Sequence, residues 1–213
     1  LIRTESELEQ MIAELTEAGT FAWDTETTGL AALQVDLVGM SFCCEAGRAF
    51  YLPFNLDPPV LAGGPSALLD RLRPLMTDPE LFRIAQNEKY DALVMGAQGV
   101  DVPPPAFDTM IASFTIHGSS RRHNLDHLAL VELGLTKIPT SHLIGTGKKQ
   151  ITMAEVPVDV VGEYACEDAE VTYRLFERLS VDLKETDNEP LFHDLEMPLV
   201  RVLTQMERRG IKL

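Results

Sequence analysis

Basic residues are scarce in this chain: 18 lysines and arginines stand against 33 aspartates and glutamates, a net charge of −15 over 213 residues. Such a deficit argues against nucleic-acid binding, because affinity for phosphate comes from clustered Lys and Arg. Cysteine is scarcer still. Cys43, Cys44 and Cys166 are odd in number and lack metal-type spacing. They exclude a disulfide framework and read as reduced thiols, in or near the core of a cytoplasmic protein. No apolar run reaches about 18 residues and no signal-peptide pattern opens the chain, so neither a membrane span nor export is expected. Internal repeats and low-complexity segments are also lacking. What remains is 45% apolar, enough for a real core and most simply one α/β domain plus an appended element.

Periodicity and turn signals predict the elements. Glu5 to Ala18 has helical spacing with apolar Leu8, Met11, Ile12 and Leu15, and Gly19 stops it. Strands are expected at Phe21–Glu26, Asp36–Cys44 and Arg48–Pro53, the last two joined through Glu45-Ala46-Gly47, in an antiparallel meander. The Pro/Gly-rich stretch 57–65 reads as a loop, Ser66–Met76 as a helix, Phe82–Gln86 as a buried strand and Asn87–Gln98 as a helix. After a loop at 101–105, helices are predicted at Asp108–His117 and Asn124–Leu133, separated by the polar loop 118–123. Thr152 and Glu155 have capping-box spacing, but Pro157 breaks what they begin, so the long helix runs from Pro157 to about Lys184.

Three short signals carry the chemistry: Asp24-Thr25-Glu26, Asn87-x-x-x-Asp91 and Tyr164-x-x-x-Asp168. Asp-x-Glu alone is uninformative, since it starts also at Asp78, Asp168, Asp187 and Asp194. Only the first copy follows an apolar run and precedes a turn (Thr27-Thr28-Gly29), as a strand end does, and there the period of two puts both acids on one face. The other two patterns occur once each, in helix-like stretches where i and i+4 share a face. Four carboxylates and a phenol at one spot suit a divalent-metal site. Hard oxygen donors are what Mg²⁺ and Mn²⁺ prefer, and two such ions about 3.5–4 Å apart supply what phosphodiester hydrolysis needs. His123 and His127 lie i, i+4 but lack a third zinc ligand, and packing is the better reading of both.

In their order and spacing, DTET, NEKYD and YACEDAEVT resemble the 3′-5′ proofreading exonuclease domain of bacterial DNA polymerase I, a family A polymerase. That family is a ribonuclease H-like one with a Tyr in its third motif. LVGMSF, FDTMIASF, RRHNLDHLA and IGTGKKQ look like the same domain, so the likeness covers residues 1–190. Residues 191–213 look like the opening helix of the polymerase domain, which makes the chain an expected fragment of a longer polymerase. The resemblance implies an α/β fold with a ribonuclease H-like mixed β-sheet flanked by helices. The implied activity is removal of nucleoside 5′-monophosphates from single-stranded or frayed DNA 3′ ends with two divalent cations, Mg²⁺ or Mn²⁺. A monomer in the bacterial cytoplasm, at the nucleoid, is expected.

Residue roles follow from the same likeness. Asp24 would bridge both ions, Glu26 and Asp168 would complete the first ion's shell, Asp91 would act through water, and Tyr164 would orient the attacking water. A phenol of pKa near 10 is a poor free base, which favours hydrogen bonding over proton abstraction. Gln86 and Asn87 match positions facing the substrate, with helix capping as the alternative. Leu30 matches an apolar wedge beside the terminal base, with core packing as its alternative, and Arg122 matches an arginine that reaches the terminal phosphate. Bound cations and a local basic rim, drawn from Arg121, Arg122, Lys148, Lys149 and Lys89, would reconcile DNA binding with the acidic charge. Thr140 is a departure: it stands where the best-known member has an aromatic, so no stacking role passes to it. GTGKK is no P-loop, because His142 replaces the required earlier Gly. Two rivals are a stand-alone ribonuclease D-like enzyme, which would not continue into EMPLVRVLTQMERRGIKL, and a non-catalytic scaffold, which would have lost carboxylates.

Overall fold

The computed structural model describes residues 1–211, so the last two residues of the expected 191–213 segment lie outside the described residues. Five strands form one mixed sheet: β1 (Thr20–Thr27), β2 (Leu37–Glu45), β3 (Arg48–Pro53), β4 (Phe82–Ala85) and β5 (Phe107–Asp108), in the order β3-β2-β1-β4-β5. β1, β2 and β3 pair antiparallel as the expected meander, while β4 joins β1 in parallel and β5 joins β4 in parallel. β4 pairs with β1 only from Thr20 to Ala22. The second half of β1 is therefore left without a strand on that side, and a crevice opens at the carboxyl ends of the parallel pair, where open α/β sheets place their ligand sites.

Helix α1 (Glu5–Ala18) begins as its sequence demands: Glu7 N–H donates to the Thr4 hydroxyl, and the Glu7 carboxylate accepts from Thr4 N–H at 2.9 Å. Gly19, at φ 66°, closes it. Leu8, Met11 and Leu15 of α1, with Leu68 and Leu72 of α2 (Gly64–Thr77), cover one sheet face over Phe21, Trp23, Met40 and Phe42. On the other face α7 (Val158–Glu185) packs across β1 to β4, and α4 (Thr109–His117) and α5 (Leu125–Leu133) pack on α7. Its Leu175 and Leu179 meet Ala22, Ile84 and Phe107. α3 (Glu88–Ala97) packs against β1, and the short α6 (Thr140–Ile144) packs against α7. After α7 come α8 (Glu189–Leu191), a π-turn at Phe192–Glu196 and α9 (Met197–Arg209), which packs on α3.

Several boundaries differ from expectation for identifiable reasons. Pro65 lies in the first turn of α2 rather than in the preceding loop, where its missing N–H costs nothing. Glu45 pairs with Arg48 inside the hairpin, so the turn is Ala46-Gly47 alone, with Gly47 at φ 83°. Gln86 falls after β4, and Asn87 and Gln98 flank α3 instead of belonging to it. Asp108 ends β5 and caps α4 by accepting from Met110 and Ile111 N–H, rather than opening a helix. Neither β5 nor α6 was expected. Both are short, at 2 and 5 residues, and below the length that periodicity detects. The polar loop 118–123 contains a 3-10 turn at Gly118–Ser120. The Thr152–Glu155 capping box forms, but on a 3-10 turn. Cys43 is buried, Cys44 and Cys166 are partly so, and all three are free thiols.

Candidate active site

Strand alternation does the first half of the assembly. Phe21 and Trp23 enter the core under α1, and Ala22 enters on the opposite face under α7. Asp24 and Glu26 continue the face of Ala22 past the point where β4 stops, so they meet a crevice instead of a packed layer. Opposite Glu26 the chain needs Gly39, because a Cβ there would lie 2.2 Å from the Tyr51 hydroxyl. α3 then brings Asp91 against the strand, where Thr25 donates to Asp91 Oδ1 from its backbone N–H at 3.2 Å and from its hydroxyl. α7 supplies Tyr164 and Asp168, one turn apart and both buried.

Carboxylate oxygens of Asp24, Glu26 and Asp168 lie within 4.8 Å of one another. With Asp91 and Tyr164 they line a cleft of about 1080 Å³. Such a cluster cannot carry its full charge unaided. Burial, followed by the charges of Asp91, Glu26 and Asp168, pushes Asp24 well above the usual carboxylate range. Burial, then Asp168 and Asp91, does the same to Glu26. Asp91 is pushed up to about 7 by burial, against the opposing hydrogen bonds of Thr25. Burial lifts Asp168 to about 6, with Lys137 holding it down. Burial, then the charge of Asp168, raises the Tyr164 phenol above its ordinary value, so at neutral pH it is a hydrogen-bonding group and not a base. Glu26 Oε1 is buried with no hydrogen-bond partner. An orphaned carboxylate oxygen amid three further hard-oxygen donors fits a divalent cation, and Asp24, Glu26 and Asp168 are the residues placed to hold one.

The rim is a different matter. Leu30, just past β1, is 95% exposed at the cleft edge, which overturns the core-packing alternative. Gln86 and Asn87 also line the cleft, and neither side chain caps a helix. Gln86 Nε2 donates to the His123 carbonyl at 2.8 Å, while its Oε1 accepts from the Thr109 hydroxyl, so it braces the loop 118–123. Asn87 sits at φ 62° with its N–H on Asp108 Oδ1. Arg122 and Lys148 are exposed and lie outside the cleft lining. Arg121 is paired with Glu132 and Lys89 with Glu207, which leaves Arg122, Lys148 and Lys149 as the expected basic residues without an ion pair among the described residues. His123 holds Ser113 Oγ at 2.9 Å and the Gly118 carbonyl at 2.8 Å through its two ring nitrogens, a packing role as expected.

Two residues of the site escaped the sequence reading. Lys137 is buried, ion-paired to Asp168, 3.5 Å from Asp126 Oδ1 and 5.0 Å from the centre of the Tyr164 ring. Burial opposes its charge, yet Asp168 and Asp126 hold its pKa above the ordinary lysine value. Thr140, set aside as a lost aromatic, places its hydroxyl 2.9 Å from the Tyr164 phenol oxygen. A signal for Lys137 existed: a lone Lys between Thr136 and Ile138 in the otherwise uncharged LTKIP, in a chain whose four clustered acids needed a counter-ion.

A mixed sheet flanked by helices, with an acid-lined crevice where β4 stops, is the fold of a metal-dependent nuclease. Residues 1–184 match the model of a 3′-5′ exonuclease family, and the chain belongs to that family. It is similar to DNA polymerase I of Chloroflexus aurantiacus, 38% identical over 221 residues, covering 100% of this chain and 22% of the relative. The chain thus spans about a fifth of that relative's length. Among solved structures, Pol1 of M. smegmatis with DNA primer-template and dNTP superposes with TM-score 0.75 at 18% identity, over 96% of this chain and 31% of that one. Escherichia coli RNase D, described as an exoribonuclease involved in structured RNA processing, gives 0.73 at 15% identity, over 96% and 50%. At those identities the two structures speak for the fold alone. Among the described residues no helix is long and apolar enough to cross a membrane.

Proposed function

We propose that this chain is the proofreading module of a DNA polymerase I, removing nucleoside 5′-monophosphates from single-stranded or frayed DNA 3′ ends. The observation that carries this reading is the convergence of Asp24, Glu26 and Asp168 within 4.8 Å, beside Asp91 and Tyr164, in a domain whose relatives are polymerase I chains. Asp24, Glu26 and Asp168 would hold two divalent cations, Mg²⁺ or Mn²⁺, with Asp91 acting through water. Bound ions of this kind activate water and relieve charge on the phosphoryl and leaving oxygens. The chain's own groups do the rest. Tyr164, held by Thr140, accepts or donates a hydrogen bond that orients the attacking water. Leu30 wedges against the terminal base, and Gln86 and Asn87 face the terminal nucleotide. Arg122 and Lys148 steer the strand's phosphates. Residues 191–213 begin the polymerase domain, and the whole protein acts in the bacterial cytoplasm as a monomer.

The test is release of 5′-mononucleotides from a 3′-end-labelled single DNA strand, with Mg²⁺ and with EDTA, beside an RNA strand of the same sequence. Mg²⁺-dependent release from DNA is expected. Release from RNA alone would replace the reading with a ribonuclease D-like one, and no release from either would leave a scaffold.

A further inference from the structure

Lys137 is the ammonium that touches the acidic cluster in the described residues, and its environment is costly to build. Its side chain is 1% exposed, and a buried ammonium is tolerated only when paired. It is paired to Asp168 Oδ1, an oxygen of a carboxylate that also belongs to the Asp24–Glu26–Asp168 cluster. A second acceptor stands ready on α5, where Asp126 Oδ1 is 3.5 Å from the same Nζ, on a side chain 61% exposed. The segment after it is tethered to α7: Ile138 N–H donates to Glu167 Oε2 at 2.7 Å, and the Thr140 hydroxyl is bound to Tyr164. The lysine side chain itself has two acceptors, both within reach of its Nζ.

We propose that Lys137 is a resident counter-ion of the acidic cluster, displaced from Asp168 toward Asp126 when a divalent cation binds, so that this lysine sets the site's affinity for metal. The inference rests on the nuclease reading, since it takes Asp168 as a ligand. Before metal arrives, the ammonium offsets the mutual repulsion of Asp24, Glu26, Asp91 and Asp168. Once metal is bound, the same ammonium would repel it, and Asp126 gives it somewhere to go. Lys137 is a positioning residue on this account, acting on metal binding through Asp168.

Mn²⁺ titration calorimetry and thermal unfolding in EDTA, on the whole chain, test it. Lys137→Met should bind Mn²⁺ about tenfold more tightly, the worth of a unit charge that has moved toward solvent-facing Asp126 yet stays within several ångströms of a divalent ion. Its metal-free form should unfold at lower temperature. Lys137→Arg, which keeps the charge, should stay near the parent affinity. Asp126→Asn should weaken Mn²⁺ binding severalfold, and that effect should vanish in the Lys137→Met background, because Asp126 matters only as the lysine's second partner. A folded Lys137→Met variant with unchanged or weaker Mn²⁺ affinity overturns the proposal while leaving the nuclease reading standing. So does an Asp126→Asn effect of equal size in both backgrounds. If Lys137→Met does not fold, Lys137→Arg and Asp126→Asn decide: no loss of affinity in Asp126→Asn overturns it. A parent protein that binds no Mn²⁺ brings down the metal reading and this inference together.

Discussion

At the floor of the cleft, Asp24, Glu26, Asp91 and Asp168 stand on a strand and two helices, with Lys137, Thr25 and Thr140 bonded to them or to Tyr164. Around it, Leu30 at the cleft edge and Arg122 and Lys148 outside the cleft lining stand on loops and a 3-10 turn, exposed and, for the two cations, without ion-pair partners among the described residues. The floor concentrates carboxylates at the bottom of the cleft, which makes it a candidate cation site whose geometry is set by packed elements. Arg122 and Lys148 stand in solvent, where each charge contributes little and adapts easily. Chemistry on the floor and affinity on the rim are thus expected to be separable by mutation.

The sharpest way to break that separation is at the floor. Asp24→Ala should lower mononucleotide release by roughly a thousandfold, because metal-ion catalysis is worth several kcal/mol of barrier. Its metal-free thermal midpoint should rise, since one member of a self-repelling cluster is gone. Mg²⁺-dependent release persisting in a sequence-verified Asp24→Ala preparation would end the assignment.

Next come the two residues of α7. Tyr164→Phe should slow hydrolysis by about a hundredfold, the scale of a lost hydrogen-bonding catalyst, with Mn²⁺ affinity intact. Asp168→Ala should lose both rate and affinity. Calorimetry alongside a single-turnover assay separates the cases, and equal losses of Mn²⁺ affinity would mean that the two side chains do not divide the work.

A smaller effect concerns pH. Asp168 and Asp91 titrate near 6 and 7 in the folded chain, against ordinary values near 4 when unfolded, so between about pH 4 and 7 the folded state binds more protons. Metal-free stability from these groups is therefore gained as pH falls through 7 and 6 and is absent above about 8. Thermal melts in EDTA should shift up by ~5 °C from pH 8 to pH 5.5 at the floor's expense. Saturating Mg²⁺ should flatten the profile, and a metal-free midpoint that falls over that interval would contradict the burial of the cluster.

The rim should yield the least. Arg122→Ala, Lys148→Ala and Leu30→Ala should each weaken binding of a short single strand a few-fold, measured by anisotropy with Ca²⁺ in place of Mg²⁺, with Mn²⁺ affinity at the floor unchanged. Salt dependence should be shallow. A slope matching about six or more phosphate contacts, or tight metal-independent duplex binding, would put the DNA surface elsewhere.

Most of the floor was legible because its geometry is local. Asp24 and Glu26 share a face through the strand period, and Tyr164 and Asp168 share one through the helix period, with no knowledge of the rest of the fold. Leu30 and Thr140 were less legible: the exposure of one and the partner of the other depend on where β1 and α7 end up.

By itself, the sequence determined the helix at Glu5–Ala18 with its Gly19 stop, the meander, the long helix after Pro157, and the shared faces of Asp24 with Glu26 and of Tyr164 with Asp168. All of these follow from neighbours within a few residues. Only the tertiary structure decided that β4 stops alongside Ala22 and leaves Asp24 and Glu26 facing a crevice. It likewise decided that the two-residue β5 closes the sheet beside β4 and that Lys137, 31 positions before Asp168, is driven into its company. Those outcomes come from burial and charge compensation between segments distant in the chain, and such forces leave no period in the sequence to read.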